Sequence, residues 1–210
     1  MSYSESILVV NKAHLSGYLV SGFQYITDIG RFTDLIQAAQ EFHERGLMEE
    51  DERYVQLIPY IVYRYEQQLF VMERSAKASE QRLASKLSLG IGGHIRQSDM
   101  TDNSLISWAK RELHEEVALA TVPEIQVMGL IYDPSNVVGR VHLGVLMFAQ
   151  GTDASIAIKD EHQSGRLMTL NEIAAVRERF ETWSTIALDA LTPQLMPEQQ
   201  INQKDRRSEI

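Results

Sequence analysis

The chain has 210 residues and 44% hydrophobic content, which suits one well-buried domain with an added segment rather than two full domains. Its formal net charge of -9 argues against a nucleic-acid polymer or an anionic membrane surface as the main partner, because both need basic patches. The chain has no cysteine, which excludes disulfides, thiol nucleophiles and cysteine-ligated zinc. Its apolar runs are far shorter than the roughly 20 residues that span a bilayer, and its N-terminus lacks the pattern of a signal peptide. We therefore expect a cytoplasmic protein.

The first fifty residues differ in pattern from those that follow. Apolar runs within residues 5–30 indicate short strands or extended packing segments. Thr33 or Asp34 is predicted to cap a helix that stops near Gly46. We expect this part to pack on the core sheet, although it could also close over a substrate or form the contact of a homodimer. The predicted organisation is an N-terminal extension (1–50), a core domain (51–192) and a polar tail (193–210).

The core domain alternates β-rich runs with turns and helices. Glu66 lies near the turn of a predicted hairpin, and Pro59 is expected to place its strand at an edge or a bulge. His142 lies in a later strand, where it could face a pocket or be a hydrogen-bonded histidine of a mixed core. The predicted order is a hairpin (54–74), a strand (87–93), a helix, strands at 124–132 and 140–148, a loop (159–165) and a helix (171–180). This order implies a mixed sheet flanked by helices.

An acidic cluster, RELHEE at residues 111–116, is the most informative stretch of the chain. If Asp102 caps a helix, then Glu112, Glu115 and Glu116 fall at i, i+3 and i+4 and share one face. Like charges at this spacing repel by roughly 0.2–0.5 kcal/mol per pair, and the last turn of a helix favours cations. Such a run is ordinarily a solvated face. A hard divalent cation coordinated by the carboxylates is the stronger explanation here.

The neighbours of these glutamates have different expected roles. Arg111 lies four residues before Glu115 and can offset part of the repulsion. His114 lies nearly opposite Glu112 on a helical wheel, so we do not place it in the site.

Residues 92–119 resemble the signature of the Nudix hydrolases, G-x5-E-x7-R-E-U-x-E-E-x-G-U with U aliphatic. Gly93 is the counterpart of the first glycine, but it lies four residues too far from the arginine, which an insertion in the loop 95–101 explains. Asn103 stands where the first glutamate is expected, and Ala118 replaces the last glycine. The residues that fill their places are Arg111, Glu112, Leu113, Glu115, Glu116 and Leu119.

The resemblance extends beyond the glutamate helix. It covers about Gln56 to Trp183, and it is closest to bacterial proteins described as Nudix phosphoesterases, which carry a similar SLGIGGHI stretch. In this chain Asp99 or Asp102 of the inserted loop could take over the role of the missing glutamate.

The resemblance implies an α/β (α+β) fold, the Nudix α/β/α sandwich with a mixed sheet. It also implies Mg²⁺- or Mn²⁺-dependent hydrolysis of a diphosphate linkage in a nucleoside diphosphate linked to another moiety. Glu112, Glu115 and Glu116 would bind the metal, with the Gly93 carbonyl as a further ligand. Glu112 or Glu115 would also be the general base, and Arg111 would orient them. Many relatives use an additional acid from a distant loop, for which the candidates are Glu161 first and Asp160 second.

The substrate and two other functions stay open at this point. The expected partner is a small nucleotide-type molecule. Pro134, fifteen residues after the motif, resembles ADP-ribose-type Nudix enzymes, yet Asp-Pro-Ser-Asn is also an ordinary turn. A catalytically weak or inactive nucleotide-binding or regulatory module is the alternative that Asn103 favours. An isopentenyl diphosphate isomerase-like enzyme would need a catalytic cysteine, which this chain lacks.

Overall fold

The computed structural model of the protein describes residues 5–74, 86–100, 104–159 and 162–195. The predicted roles of Asp102, Asn103, Asp160 and Glu161 lie outside these residues. The strands are β1 Ser6–Asn11, β2 Gly22–Tyr25, β3 Gln40–Glu44, β4 Tyr54–Tyr65, β5 Gln68–Arg74, β6 Leu87–Ser88, β7 Gly90–Ile91, β8 Val117–Leu119, β9 Glu124–Tyr132, β10 His142–Gln150, β11 Ile156–Ile158 and β12 His162–Thr169. The α-helices are α1 Ile29–Ala39, α2 Arg45–Met48, α3 Leu105–Glu116, α4 Val137–Arg140, α5 Leu170–Ala175 and α6 Thr182–Leu195, with 3₁₀ turns at Lys12–His14, Gln97–Asp99 and Arg177–Arg179.

A large mixed sheet forms the centre of the molecule. Its strand order is β12-β5-β4-β10-β9-β2, while β1 pairs with β3 and β4, β6 with β5 and β7 with β4. Strands β4 and β10 run parallel, and the other described pairs of strands in this sheet are antiparallel. A separate two-stranded ladder joins β8 to β11.

Helices cover both faces of this sheet. In β10, Leu143, Val145 and Met147 pack into the cluster that contains the apolar faces of α1 and α3, whereas Leu146 packs into the cluster that contains α5 and α6. This alternation is the one that the sequence predicts, because successive side chains of a strand point to opposite faces. The layers confirm the predicted α/β/α sandwich with a mixed sheet.

The first part of the chain is built into the sheet. Strand β1 pairs with β4, with Val9 opposite Gln56, and β2 pairs with β9. The predicted helix start at Thr33 or Asp34 is wrong, because α1 begins at Ile29 after Asp28, whose Oδ1 accepts a hydrogen bond of 2.9 Å from the Arg31 N–H. Gly46 does not end this helix. Strand β3 follows α1 directly, since its pairing with β1 overrides the local helical pattern.

Pro59 lies in the central strand β4, so its predicted place at an edge or a bulge is wrong. The Gln56 N–H donates to the Val141 carbonyl in the direction of β10, and alternation therefore turns the nitrogen of Pro59 to the other side. On that side β1 pairs with residues 54–56 and β7 with residues 61–62. Pro59 falls between these two pairings, where its missing N–H costs no ladder hydrogen bond.

The C-terminal part differs from the prediction in three places. Residues 162–165, expected in a loop, begin β12, which pairs with β5. The helix expected at 171–180 ends at Ala175 and is followed by a 3₁₀ turn. Helix α6 continues past Pro193 to Leu195, which is buried. None of the helices within the described residues has the length and apolar character that a membrane crossing requires.

Candidate metal and active site

Helix α3 carries the predicted acidic cluster, and Ser104 caps it. The Ser104 Oγ accepts a hydrogen bond from the Ser107 N–H and the helix begins at Leu105, so the predicted start after Asp102 is wrong. The buried positions recur at helical spacing and form one continuous face: Leu105, Trp108, Ala109, Glu112, Leu113 and Glu116. Two positions of a face that otherwise packs on the sheet are therefore occupied by carboxylates, which is costly unless they are paired or bind a cation.

Glu112 lies directly against Gly93. A Cβ at Gly93 would lie 3.0 Å from Oε2 and 3.2 Å from Oε1 of Glu112, so the glycine leaves room for the carboxylate. Burial raises the pKa of Glu112 to about 8, Arg111 acts in the opposite direction, and the charges of Glu116 and Glu115 raise it further. A buried carboxylate beside the loop of residues 92–95, which contains Gly92 and Gly93 and is called the glycine loop below, fits a divalent oxygen-ligated cation, whose charge would offset this cost.

Glu115 occupies a different environment from the other two glutamates. Arg96 Nη2 donates to its Oε1 at 2.5 Å and Arg111 Nη1 to its Oε2 at 2.8 Å. Partial burial acts to raise the pKa of Glu115, but these hydrogen bonds and charges outweigh it and the pKa is lowered. On the side of α3 that the three carboxylates share, Glu112 and Glu116 are buried, and Glu115 lies on the exposed rim.

Arg111 connects the helix to the loop that precedes it. Its Nη2 donates to the His94 carbonyl at 3.0 Å and to the carboxylate of Glu112. Its Nε lies 3.1 Å from Asp99 Oδ2. Asp99 in turn accepts from the Arg96 N–H at 2.8 Å, which closes the inserted loop on itself. An acid of the insertion thus contacts the motif arginine. The role of Arg96 was not foreseen.

A second group of metal-ligand types adjoins this site. The ligand atoms of Glu49, His94 and His142 all lie within 4.8 Å of one another. His94 Nε2 is 3.3 Å from His142 Nε2 and donates to Gln56 Oε1 at 2.7 Å, and the His142 Nδ1–H donates to the Val138 carbonyl at 2.8 Å. Burial lowers the pKa of His94 well below its ordinary value, and Arg45 and His142 add to this effect.

The sequence offered little to identify that group. Of the two predictions for His142, the structure shows the hydrogen-bonded histidine of a mixed core, and its Nε2 lies beside that of His94. Glu49 and His94 were not predicted as site residues. They come together only because α2, the loop after β7 and the start of β10 meet in the fold.

The remaining predicted positions lie outside both groups. His114 is exposed, as expected. Pro134 lies in a turn stabilised by Asp133, whose Oδ1 accepts from the Ser135 N–H at 3.1 Å, which is the ordinary turn that the sequence allowed. Ala118, in the place of the motif glycine, lies in β8 opposite Ala157.

No protein-family model matches the chain. The protein YmaB of Bacillus subtilis (strain 168) is 37% identical to it over 169 residues, which are 74% of this chain and 80% of YmaB. The crystal structure of Tm1382, classed as a candidate Nudix hydrolase, superposes with a TM-score of 0.73 at 29% identity and covers 89% of this chain and 98% of that one.

A more distant structure shares the fold. The bifunctional NMN adenylyltransferase/ADP ribose pyrophosphatase of Francisella tularensis, complexed with AMP and a manganese ion, has a TM-score of 0.52 at 14% identity and covers 68% of this chain and 42% of that one. The motif in register on α3, the mixed sandwich and the likeness to Tm1382 together identify the chain as a member of the Nudix superfamily.

Proposed function

We propose that the protein is a divalent-cation-dependent pyrophosphohydrolase that cleaves the diphosphate linkage of a nucleoside diphosphate joined to another moiety. The observation that carries this proposal is the burial of Glu112 and Glu116 on the sheet-facing side of α3, with Gly93 against the carboxylate of Glu112. Burying a carboxylate contributes little to stability even when it is paired, as Glu112 is with Arg111. Their presence is explained if the folded protein binds a cation there.

The cation would be held by oxygen ligands of the helix and the loop. Glu112, Glu116 and the Gly93 carbonyl are the first candidates, and Glu115 can join them when it releases Arg96. Mg²⁺ or Mn²⁺ bound by these groups would neutralise the diphosphate oxygens and lower the pKa of a bound water.

The chain's own groups perform the remaining steps. The oxygen of a water attacks one phosphorus, its proton moves to a carboxylate oxygen of Glu112 or Glu115, and the bridging oxygen leaves with the other phosphate. Glu112 and Glu115 are both candidates for the general base, which works best when its pKa in the metal-bound protein is near the working pH.

Arg111 is a positioning residue in this scheme. It contacts Glu112, Glu115 and the carbonyl of His94, so it fixes the helix carboxylates relative to the glycine loop. Asp99 holds the guanidinium from the side of the inserted loop. We infer that this contact compensates for Asn103, which stands in the place of the motif glutamate.

A panel assay tests the proposal. ADP-ribose comes first, because a fold neighbour is described as an ADP ribose pyrophosphatase, followed by nucleotide sugars, dinucleoside polyphosphates and (d)NTPs, each with Mg²⁺ or Mn²⁺. We expect turnover of at least one nucleoside diphosphate compound. The alternative, a nucleotide-binding or regulatory module, rests on Asn103 and on the two arginines that hold Glu115. Saturable binding of a panel member without product would favour that alternative.

A further inference from the structure

We propose that Glu49, His94 and His142 form a second metal site, which binds a first-row transition ion such as Zn²⁺ and is distinct from the glutamate site on α3. Two imidazoles and one carboxylate are a ligand set for zinc and its neighbours, whereas Mg²⁺ prefers oxygen ligands alone. The proposal does not rest on the proposed hydrolase activity, because none of its three ligands belongs to the acidic cluster.

The distance between the two histidines fits a shared ion. A tetrahedral site with Zn–N bonds of about 2.0–2.1 Å places its two nitrogen ligands about 3.3–3.4 Å apart. His94 Nε2 and His142 Nε2 are 3.3 Å apart. This separation is longer than an ordinary N–H hydrogen bond, so mutual hydrogen bonding alone does not account well for the pair.

The protein orients the lone pair of His142 toward this point. The Val138 carbonyl accepts from the Nδ1–H of His142 at 2.8 Å, so in the neutral imidazole Nε2 carries the free lone pair. A carbonyl or carboxylate behind the ring is the usual outer contact of a metal-binding histidine, because it fixes the tautomer and the ring orientation.

Gln56 adds a fixed oxygen beside the two rings. Its Nε2 donates to the Met48 carbonyl at 3.3 Å, which turns Oε1 toward His94 Nε2 at 2.7 Å. That oxygen can serve as a fourth ligand or hold a bound water. With an ion present, His94 would carry its proton on Nδ1 and ligate through Nε2, so both histidines bind as neutral imidazoles without net loss of a proton.

Glu49 would supply a negatively charged ligand, and its partial exposure gives the ion access to the site from solvent. Its side chain is 24% exposed, whereas His142 is buried. Arg45 Nε lies 3.3 Å from Glu49 Oε1, and the positive charge of Arg45 opposes a cation nearby. A carboxylate has two oxygens, so Glu49 can keep this contact with one and ligate with the other.

An ion at this place would join three separate elements. Glu49 follows α2, His94 lies next to Gly93 in the glycine loop, and His142 begins the central strand β10. Occupancy would thus fix the backbone of the loop that the Arg111 side chain ties to the glutamate helix. We expect a higher Tm with Zn²⁺ and a glycine loop that is better protected from hydrogen exchange.

The test is a Zn²⁺ titration of the full-length, EDTA-stripped protein at pH 7.5 in excess Mg²⁺, followed by calorimetry, with Co²⁺ absorption as a report on nitrogen ligation. We expect one Zn²⁺ per chain. His94→Gln, His142→Asn and Glu49→Gln should each weaken binding at least about tenfold, as expected when a ligand is lost. The control Glu112→Gln/Glu116→Gln, in the acidic cluster, should retain the wild-type Zn²⁺ affinity and lose only the response to Mg²⁺.

Circular dichroism and thermal melts establish that each variant is folded. If a histidine variant does not fold, the Glu49→Gln variant decides the question, because this partly exposed carboxylate can be neutralised without creating a cavity. Failure of the wild-type protein to bind Zn²⁺, or binding that Glu49→Gln leaves unchanged, would overturn the proposal. Zn²⁺ binding that the Glu112→Gln/Glu116→Gln variant abolishes would overturn it as well, by assigning the ion to the acidic cluster.

Discussion

Replacing Glu112 by Gln should stabilise the metal-free protein, and increasingly so as the pH rises. Burial raises the pKa of Glu112 from its ordinary 4.5 to about 8. A carboxyl whose folded-state pKa is raised contributes stability that is complete below pH 4.5 and is lost as the pH rises toward 8, because the unfolded chain ionises first. Glutamine does not ionise, so the variant escapes this loss.

The size of the effect follows from the same shift. Each pH unit between the two pKa values costs about 1.4 kcal/mol, so at pH 7 the buried carboxyl lowers the free energy of unfolding by about 3 kcal/mol relative to its protonated form. The Arg111 guanidinium keeps other partners in the variant, including Glu115 and the carbonyl of His94. The loss of one acceptor therefore offsets only part of the gain.

Urea unfolding of wild type and Glu112→Gln in EDTA, at pH values from 5 to 8, measures the difference. We expect the free energy of unfolding of the variant to exceed that of wild type by more at each higher pH. In millimolar Mg²⁺ or Mn²⁺ we expect wild type to be the more stable protein. A cation at one hundred times its Kd stabilises wild type by about 2.7 kcal/mol, and the variant should lose most of this gain. A difference that stays constant between pH 5 and 8 would refute the reasoning from burial.

Other substitutions around the site have separable effects. Glu115→Gln should destabilise the metal-free protein, because two arginines hold this carboxylate. The loss in the free energy of unfolding should be present at pH 7 and should shrink below pH 4.5, because the pKa of Glu115 is lowered in the folded protein. Equal stability of the variant and wild type in melts at pH 7 would contradict this prediction. Asp99→Asn should lower kcat more than it raises the substrate KM, since it weakens the hold on the motif arginine without touching substrate, and unchanged kcat would assign Asp99 to the loop alone. Gly93→Ala should weaken Mg²⁺ binding at modest cost in stability. Gly92→Ala should prevent stable folding, because the added Cβ would lie 1.8 Å from a backbone carbonyl oxygen. Similar thermal melts for the two variants would contradict this contrast. Ser104→Ala should cost about 1 kcal/mol in urea unfolding as the loss of a helix cap, and no change would mean that the helix starts elsewhere.

The sequence predicted the sandwich because its strong elements are locally encoded. The alternation in β10 and the apolar spacing of Leu105, Ala109 and Leu113 specify which side of each element is buried. Strands β3, β8, β11 and β12 were missed. The first three have only three to five residues, and all four form through pairings, such as that of Ala118 with Ala157, that no local pattern indicates.

The sequence predicted only the part of the site that lies on one helix. The order of Arg111, Glu112, Glu115 and Glu116 identifies the motif, but burial of two carboxylates and exposure of the third depend on how α3 lies on the sheet. The proximity of His94 and His142, which are separated by 48 residues, follows from the position of the loop after β7 beside β10. Spacing along the chain could not predict it.

The central claim is that the carboxylates of α3 hold a divalent cation for hydrolysis. The most direct test measures the turnover of the best panel substrate by wild type, by Glu116→Gln and by the control Glu178→Gln. Each protein is assayed with Mg²⁺, with Mn²⁺ and with excess EDTA. Glu178 is exposed and lies in the 3₁₀ turn beside α5. We expect turnover by wild type and the control only with a divalent cation, and a loss of at least about tenfold in Glu116→Gln. Full activity of wild type in EDTA, or of Glu116→Gln with metal, would contradict the account.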